Sequence, residues 1–106
     1  MPIPPEIDVL TASRQLQEGA LLLDVREPVE IAAVALPGSL HMPMREIPAR
    51  YAEIPADRPV LVLCHHGGRS ARVTQFLRAQ GLENVTNVAG GIDAWALQVD
   101  RTLPRY

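Results

Sequence analysis

Val60-Leu61-Val62-Leu63-Cys64-His65-His66-Gly67-Gly68-Arg69-Ser70 decides how this chain of 106 residues folds. Four consecutive apolar residues, two of them β-branched, read as a strand buried on both faces, the habit of a parallel sheet. Two glycines allow a tight turn. Beyond it Val73, Phe76 and Leu77 recur at helical spacing until Gly81 stops them. The stretch thus predicts a strand over 60–63, a turn, and a helix over 70–80.

The same alternation extends outward. Leu21-Leu22-Leu23-Asp24-Val25 is a second continuous strand, its apolarity broken by Asp24 near the end. Pro28 suits the first turn of a short helix through 34, and Pro37-Gly38 turns the chain into a brief strand over 39–42. Residues 43–51 read as a helix closed by Pro55, residues 85–88 as the last strand, and 91–97 as the last helix. Toward the N-terminus, 7–10 is a short candidate strand, with Thr11 or Ser13 as the N-cap of a polar helix that Gly19 ends. The Pro2, Pro4 and Pro5 cluster suggests a stiff leading arm. Connections of this length favour βαβ crossovers. The expected fold class is α/β: one domain over 1–106, with a mostly parallel central sheet of about five strands and helices on both faces.

Bulk properties set limits. An apolar content of 47% supports one core at this length. A net charge of −2 lacks the basic footprint of a nucleic-acid binder. No apolar run approaches the roughly 18 residues of a membrane span, and Met1-Pro2-Ile3-Pro4-Pro5-Glu6 lacks the basic start and hydrophobic stretch of a signal peptide. The expectation is a cytoplasmic protein with neither nucleic-acid nor membrane partners. A single cysteine cannot form an internal disulfide, which fits a reducing compartment and leaves the thiol for chemistry or burial.

Cys64 sits where a thiolate can be made. At a glycine-rich strand-to-helix turn, backbone N–H groups converge and the helix N-terminus adds its positive field. Helix N-termini and neighbouring cations favour the ionised thiol, which is the nucleophilic form. A lone cysteine is otherwise often a small buried hydrophobe. The Gly-Gly pair, an arginine five residues on and the following helix supply donors that a merely packed thiol does not need. Cys64 is therefore the expected nucleophile, with His65, His66, Gly67, Gly68, Arg69 and Ser70 forming the substrate cradle.

Open parallel sheets bind ligands beyond the carboxyl ends of their strands, where Asp24 and Arg26 also emerge. Asp24, at the end of a buried strand, needs a hydrogen-bonded or charged companion, and Arg69 is the expected one. Arg26 is divided between a surface charge and a guanidinium at the pocket rim. Both Asp24 and Arg26 are included among the substrate-binding residues. Adjacent His65 and His66 would chelate a tetrahedral metal poorly, and no second Cys/His pair lies at a suitable spacing. They are expected to set shape and charge beside the thiol, with no metal or cofactor called for. His41 reads as a polar strand-end residue, Gly90-Gly91 as a tight strand-to-helix connection, and Trp95 as a core anchor.

The loop resembles the active-site loop of rhodanese-type sulfurtransferases: Cys, two variable residues, Gly, one variable residue, Arg, then Ser or Thr. Leu21-Leu22-Leu23-Asp24-Val25-Arg26-Glu27 with Leu36-Pro37-Gly38-Ser39 resembles the first signature of that family, and Asn87-Val88-Ala89-Gly90-Gly91-Ile92-Asp93-Ala94-Trp95 its last. Many members carry histidine where this chain has Ala35, so that site is given no role. The resemblance implies a single-domain, rhodanese-like fold and a persulfide mechanism. A sulfane sulfur would move from a small donor such as thiosulfate to Cys64, then to cyanide, a thiol or a protein acceptor.

Three alternatives stand beside this expectation. One is a non-catalytic rhodanese-like module serving docking or regulation, since fold does not determine function. Another is a carrier that receives its sulfur from a protein. The third is a cysteine phosphatase or arsenate reductase of the related fold, whose loop places five residues between nucleophile and arginine where this chain has four.

Overall fold

A computed structural model of the chain describes residues 5–106. The proposed proline arm therefore lies outside the described residues except for Pro5. Five strands form one sheet: β1 (Glu6–Ile7), β2 (Leu21–Asp24), β3 (Leu40–His41), β4 (Val60–Leu63) and β5 (Val85–Val88). Their spatial order is β1-β5-β4-β2-β3, and every pairing is parallel. The expected α/β class and strand number are therefore observed.

Five α-helices join them: α1 (Val9–Gln17), α2 (Pro28–Ala33), α3 (Ile47–Arg50), α4 (Gly68–Ala79) and α5 (Gly91–Gln98). Strand alternation sorts the core into two layers. Leu23, Val25, Val60, Val62 and Cys64 pack with Ile47, Val73 and Leu77, which places α3 and α4 on one face. Leu22, Leu61 and Leu63 pack with Val9, Ala12, Ile92 and Trp95, which places α1 and α5 on the other. A period of two across a parallel sheet produces this division, and Trp95 anchors the second layer as expected.

The largest departures from expectation lie at the start of α1 and around α3. The strand predicted over 7–10 is β1 at Glu6–Ile7, and Val9 already begins α1. Asp8 caps that helix by accepting the Thr11 N–H at 2.8 Å, in place of Thr11 or Ser13. A short apolar run has no period of its own, so the cap decides where helix begins. The single helix predicted over 43–51 is broken into a 3-10 turn (Met44–Glu46), α3, and a second 3-10 turn (Tyr51–Glu53). Pro48 is the cause. Without an N–H it cannot bond the carbonyl four residues back, so it is tolerated only in the first turn of α3.

The chain turns in opposite directions from β2 and β4. From β2 it runs outward to β3, and from β4 outward to β5, so their carboxyl ends flank a crevice. The segment after β2 and the loop after β4 meet there. Among the described residues, no helix is long and apolar enough to cross a membrane.

Candidate active site

Cys64 leaves β4 with its thiol under the loop that follows. Sγ accepts the Gly67 N–H at 3.1 Å, the Ser70 N–H at 3.4 Å and the Ser70 hydroxyl at 3.2 Å. Gly67 makes this turn in the left-handed region, φ +104°, which disfavours side chains. The helix begins at Gly68, two residues before the predicted start, so Ser70 lies within its first turn and aims both donors at sulfur.

The loop is also held from outside. Carbonyls of Cys64 and His65 accept the N–H groups of Ile92 and Asp93 at 2.9 and 3.1 Å. Gly91 permits that approach: at φ +60°, an added Cβ would overlap the backbone of Cys64 and His65. Trans peptide geometry turns the next N–H groups, those of His65 and His66, away from α5. Spacing had marked Gly90-Gly91 as a tight connection; the structure adds a clamp on the cysteine loop.

The residue Cys64 is only 1% exposed, yet it borders an open pocket of about 310 Å³ with His65, His66, Gly68, Arg69 and Arg72. Burial among apolar neighbours on one side and three polar hydrogens on the other describe the same sulfur. His65 stacks on His66 with ring centroids 3.9 Å apart, and Tyr106 stacks on His65 at the same separation. Burial, and after it the repulsion of the adjacent His66, lowers the pKa of His65 below the ordinary imidazole value. Its buried Nε2 has no hydrogen-bond partner among the described residues.

The charges pair differently from expectation. Arg69 does not meet Asp24; it binds Glu30 in bidentate fashion, at 2.6 and 2.8 Å. Asp24 instead binds Arg26, Nη2 to Oδ2 at 2.7 Å, and both are fully buried. Arg26 is thus neither a rim residue nor a surface charge, and neither it nor Asp24 lines the pocket. Strand parity is the reason: Asp24 follows Leu22 onto the α1/α5 face, opposite Cys64 and α4. Val34 O at 2.8 Å and the Tyr106 hydroxyl at 3.0 Å take further Arg26 hydrogens. His41 donates Nε2–H to the Arg26 carbonyl at 2.8 Å, the polar strand-end role predicted for it.

Glu30 and Tyr106 escaped the sequence reading. Glu30 looked like an ordinary acid in a helix's first turn, where it accepts the Glu27 N–H at 3.0 Å. Its pairing with Arg69 spans 39 positions. Tyr106 lies in the segment after α5, which carried no assignment. There its hydroxyl accepts from Arg26 and donates to Glu30 Oε2 at 2.8 Å, joining the two ion pairs. Arg105 binds Asp93 nearby at 2.9 Å. The only available signal was an aromatic residue in a polar segment.

Arg69 holds the Glu30 carboxyl down at about 2. A carboxyl acidified by folding stabilises the native state above its unfolded pKa of about 4.3, and that contribution fades as pH falls toward 2. Glu30→Gln should therefore melt below the parent at pH 6. The gap in Tm should narrow steadily between pH 4.5 and about 2, as read by thermal unfolding across a pH series. A gap independent of pH would mean that the ion pair does not supply it.

A cysteine loop at the carboxyl edge of a five-stranded parallel sheet, clamped by the next helix, defines a cysteine-centred α/β domain. The chain belongs to the rhodanese-like domain family, whose pattern matches residues 9–98. It is 45% identical over 93 residues to a sulfurtransferase of Allochromatium vinosum, covering 86% of this chain and 87% of that protein. It is 34% identical over 93 residues to the thiosulfate sulfurtransferase GlpE of Pseudomonas syringae, covering 88% and 84%. The crystal structure of a rhodanese-related protein from Thermoplasma volcanium superposes with a TM-score of 0.82 at 30% identity, covering 89% of this chain and 92% of that one.

Proposed function

We propose that the protein is a sulfurtransferase that carries a sulfane sulfur on Cys64, with thiosulfate as a competent donor. The observation that carries this reading is the convergence of three polar hydrogens on Cys64 Sγ beside an open pocket. Preorganised donors stabilise anionic sulfur without reorganising when charge develops.

The Sγ thiolate attacks the outer sulfur of thiosulfate. The S–S bond to sulfite breaks, and sulfite leaves with the bonding pair. Cys64 then holds a persulfide, its anionic outer sulfur facing the pocket lined by His65, His66 and Arg69. A second nucleophile takes that sulfur and returns the electron pair to Sγ. Two half-reactions on one side chain predict ping-pong kinetics. Arg69 is tied to Glu30 and holds α4 against α2, while Asp24 and Arg26 support the crevice from beneath. The acceptor is a small thiol, cyanide in an assay, or a protein.

Incubation with thiosulfate followed by intact mass measurement tests the reading. The expected result is a gain of one sulfur atom, removed by a thiol reductant. A mass that never changes would identify a non-catalytic module instead.

A further inference from the structure

We propose that a groove beside the sulfur pocket binds an extended peptide segment of an acceptor protein, seating a carboxylate of that segment on Arg72 and an apolar side chain between α3 and α4. The inference rests on the sulfurtransferase reading and names its acceptor.

The groove, about 180 Å³, is lined by Met44, Ile47, Pro48, Arg72, Val73 and Phe76. Arg72 also lines the sulfur pocket, so the two spaces adjoin at this residue. A thiosulfate ion bound at Cys64 leaves this apolar space unused.

Charge identifies the occupant. Arg69 is neutralised by Glu30, Arg45 by Glu27, and Arg50 by Glu46 and Glu53. Arg72 is exposed and, among the described residues, has neither an ion pair nor a hydrogen bond. An unpaired cation between a sulfur site and an apolar groove complements a ligand with the same three parts: thiol, carboxylate, apolar group.

Length points to a peptide. Arg69, Arg72 and Phe76 lie on successive turns of one face of α4, so the first and last are about 10 Å apart along the axis. About three residues of extended chain cover that span, whereas a two-carbon thiol does not. In the transfer, the peptide thiol gives its proton to the anionic outer sulfur of the Cys64 persulfide, and the resulting thiolate attacks that sulfur. The new S–S bond forms, the bond to Sγ breaks with its pair left on Sγ, and the proton stays on the transferred sulfur.

The test loads the protein with thiosulfate, confirms the added sulfur by mass, and follows its transfer to acetylated cysteine tripeptide amides in both sequence orders. Cys-Glu-Leu should accept about fivefold faster than Cys-Gln-Leu, the scale of one exposed ion pair. It should accept about tenfold faster than Cys-Glu-Gly, the scale of one partly buried leucine. Arg72→Gln should erase the first preference and keep the second, while Phe76→Ala should shrink the second. Equal rates for all peptides, a first preference that survives Arg72→Gln, or faster transfer to a small arene thiol than to any peptide would overturn the peptide site and leave the sulfurtransferase reading standing. Failure to form any persulfide would overturn both.

Discussion

Under the proposed persulfide reaction, Cys64→Ala and Cys64→Ser should both lower thiosulfate-to-cyanide transfer by more than about a thousandfold, the scale expected when the group proposed to bond the travelling sulfur is removed. The two variants separate chemistry from structure. Alanine leaves the Gly67 N–H, the Ser70 N–H and the Ser70 hydroxyl without their buried acceptor. Stranded buried donors cost about 1–3 kcal/mol each where water cannot reach them. Serine keeps an acceptor there, so its Tm should lie above that of the alanine variant. A hydroxyl is nevertheless a far weaker nucleophile at neutral pH and cannot store the sulfur as a persulfide. Steady-state assays beside thermal unfolding check both halves; substantial turnover by either variant would remove Cys64 from the reaction.

Gly91→Ala is expected to be nearly as damaging, although Gly91 contributes no side chain. Its φ of +60° costs an alanine about 1–2 kcal/mol before any contact is counted. The new Cβ would also overlap the carbonyl oxygens of Cys64 and His65, which are backbone atoms and cannot swing aside as a flexible side chain would. Relieving the overlap separates α5 from the loop and breaks the Ile92 and Asp93 bonds to those carbonyls. Overpacking of this kind costs about 1–3 kcal/mol more. A misplacement of about 1 Å at a reacting group costs about a hundredfold in rate.

Gly38→Ala provides the control. Gly38 also has a positive φ, +77°, but nothing lies within 4 Å of an added Cβ. It should show only the backbone cost, with sulfur transfer close to that of the parent. If the two substitutions match in Tm and in kcat/KM, the α5 clamp does not organise the loop.

These contrasts show which features were legible. β4 and β5 were read to the residue because four-residue apolar or half-apolar runs bounded by turn residues leave little freedom. The geometry of the cysteine loop was legible because the donors to Sγ come from the same seven consecutive residues as Cys64 itself. The start of α1 was misplaced because Val9 and Leu10 suit strand or helix, and a single side-chain cap settled the choice. The helix predicted over 43–51 failed at Pro48, whose missing N–H interrupts the helical bonding.

The assignment of Asp24 to Arg69 failed for a different reason. Both residues were recognised, and the need of a buried carboxylate for a cation was correctly anticipated, but Arg26 supplied it from two positions away. Glu30 had no motif to distinguish it from any acidic first-turn residue. Tyr106 reaches the site only because the segment after α5 folds back onto the histidine stack.

By itself the sequence determined a two-faced parallel sheet and a glycine-rich loop folded around the Cys64 thiol, because alternation, turn chemistry and a contiguous loop act over a few neighbouring residues. Only the tertiary structure decided which charge meets which. Strand parity sent Asp24 to the face opposite Cys64, the β2-to-β3 crossover brought Glu30 to Arg69, and the segment after α5 brought Tyr106 back onto His65. Those pairings depend on distances through space that no spacing along the chain encodes.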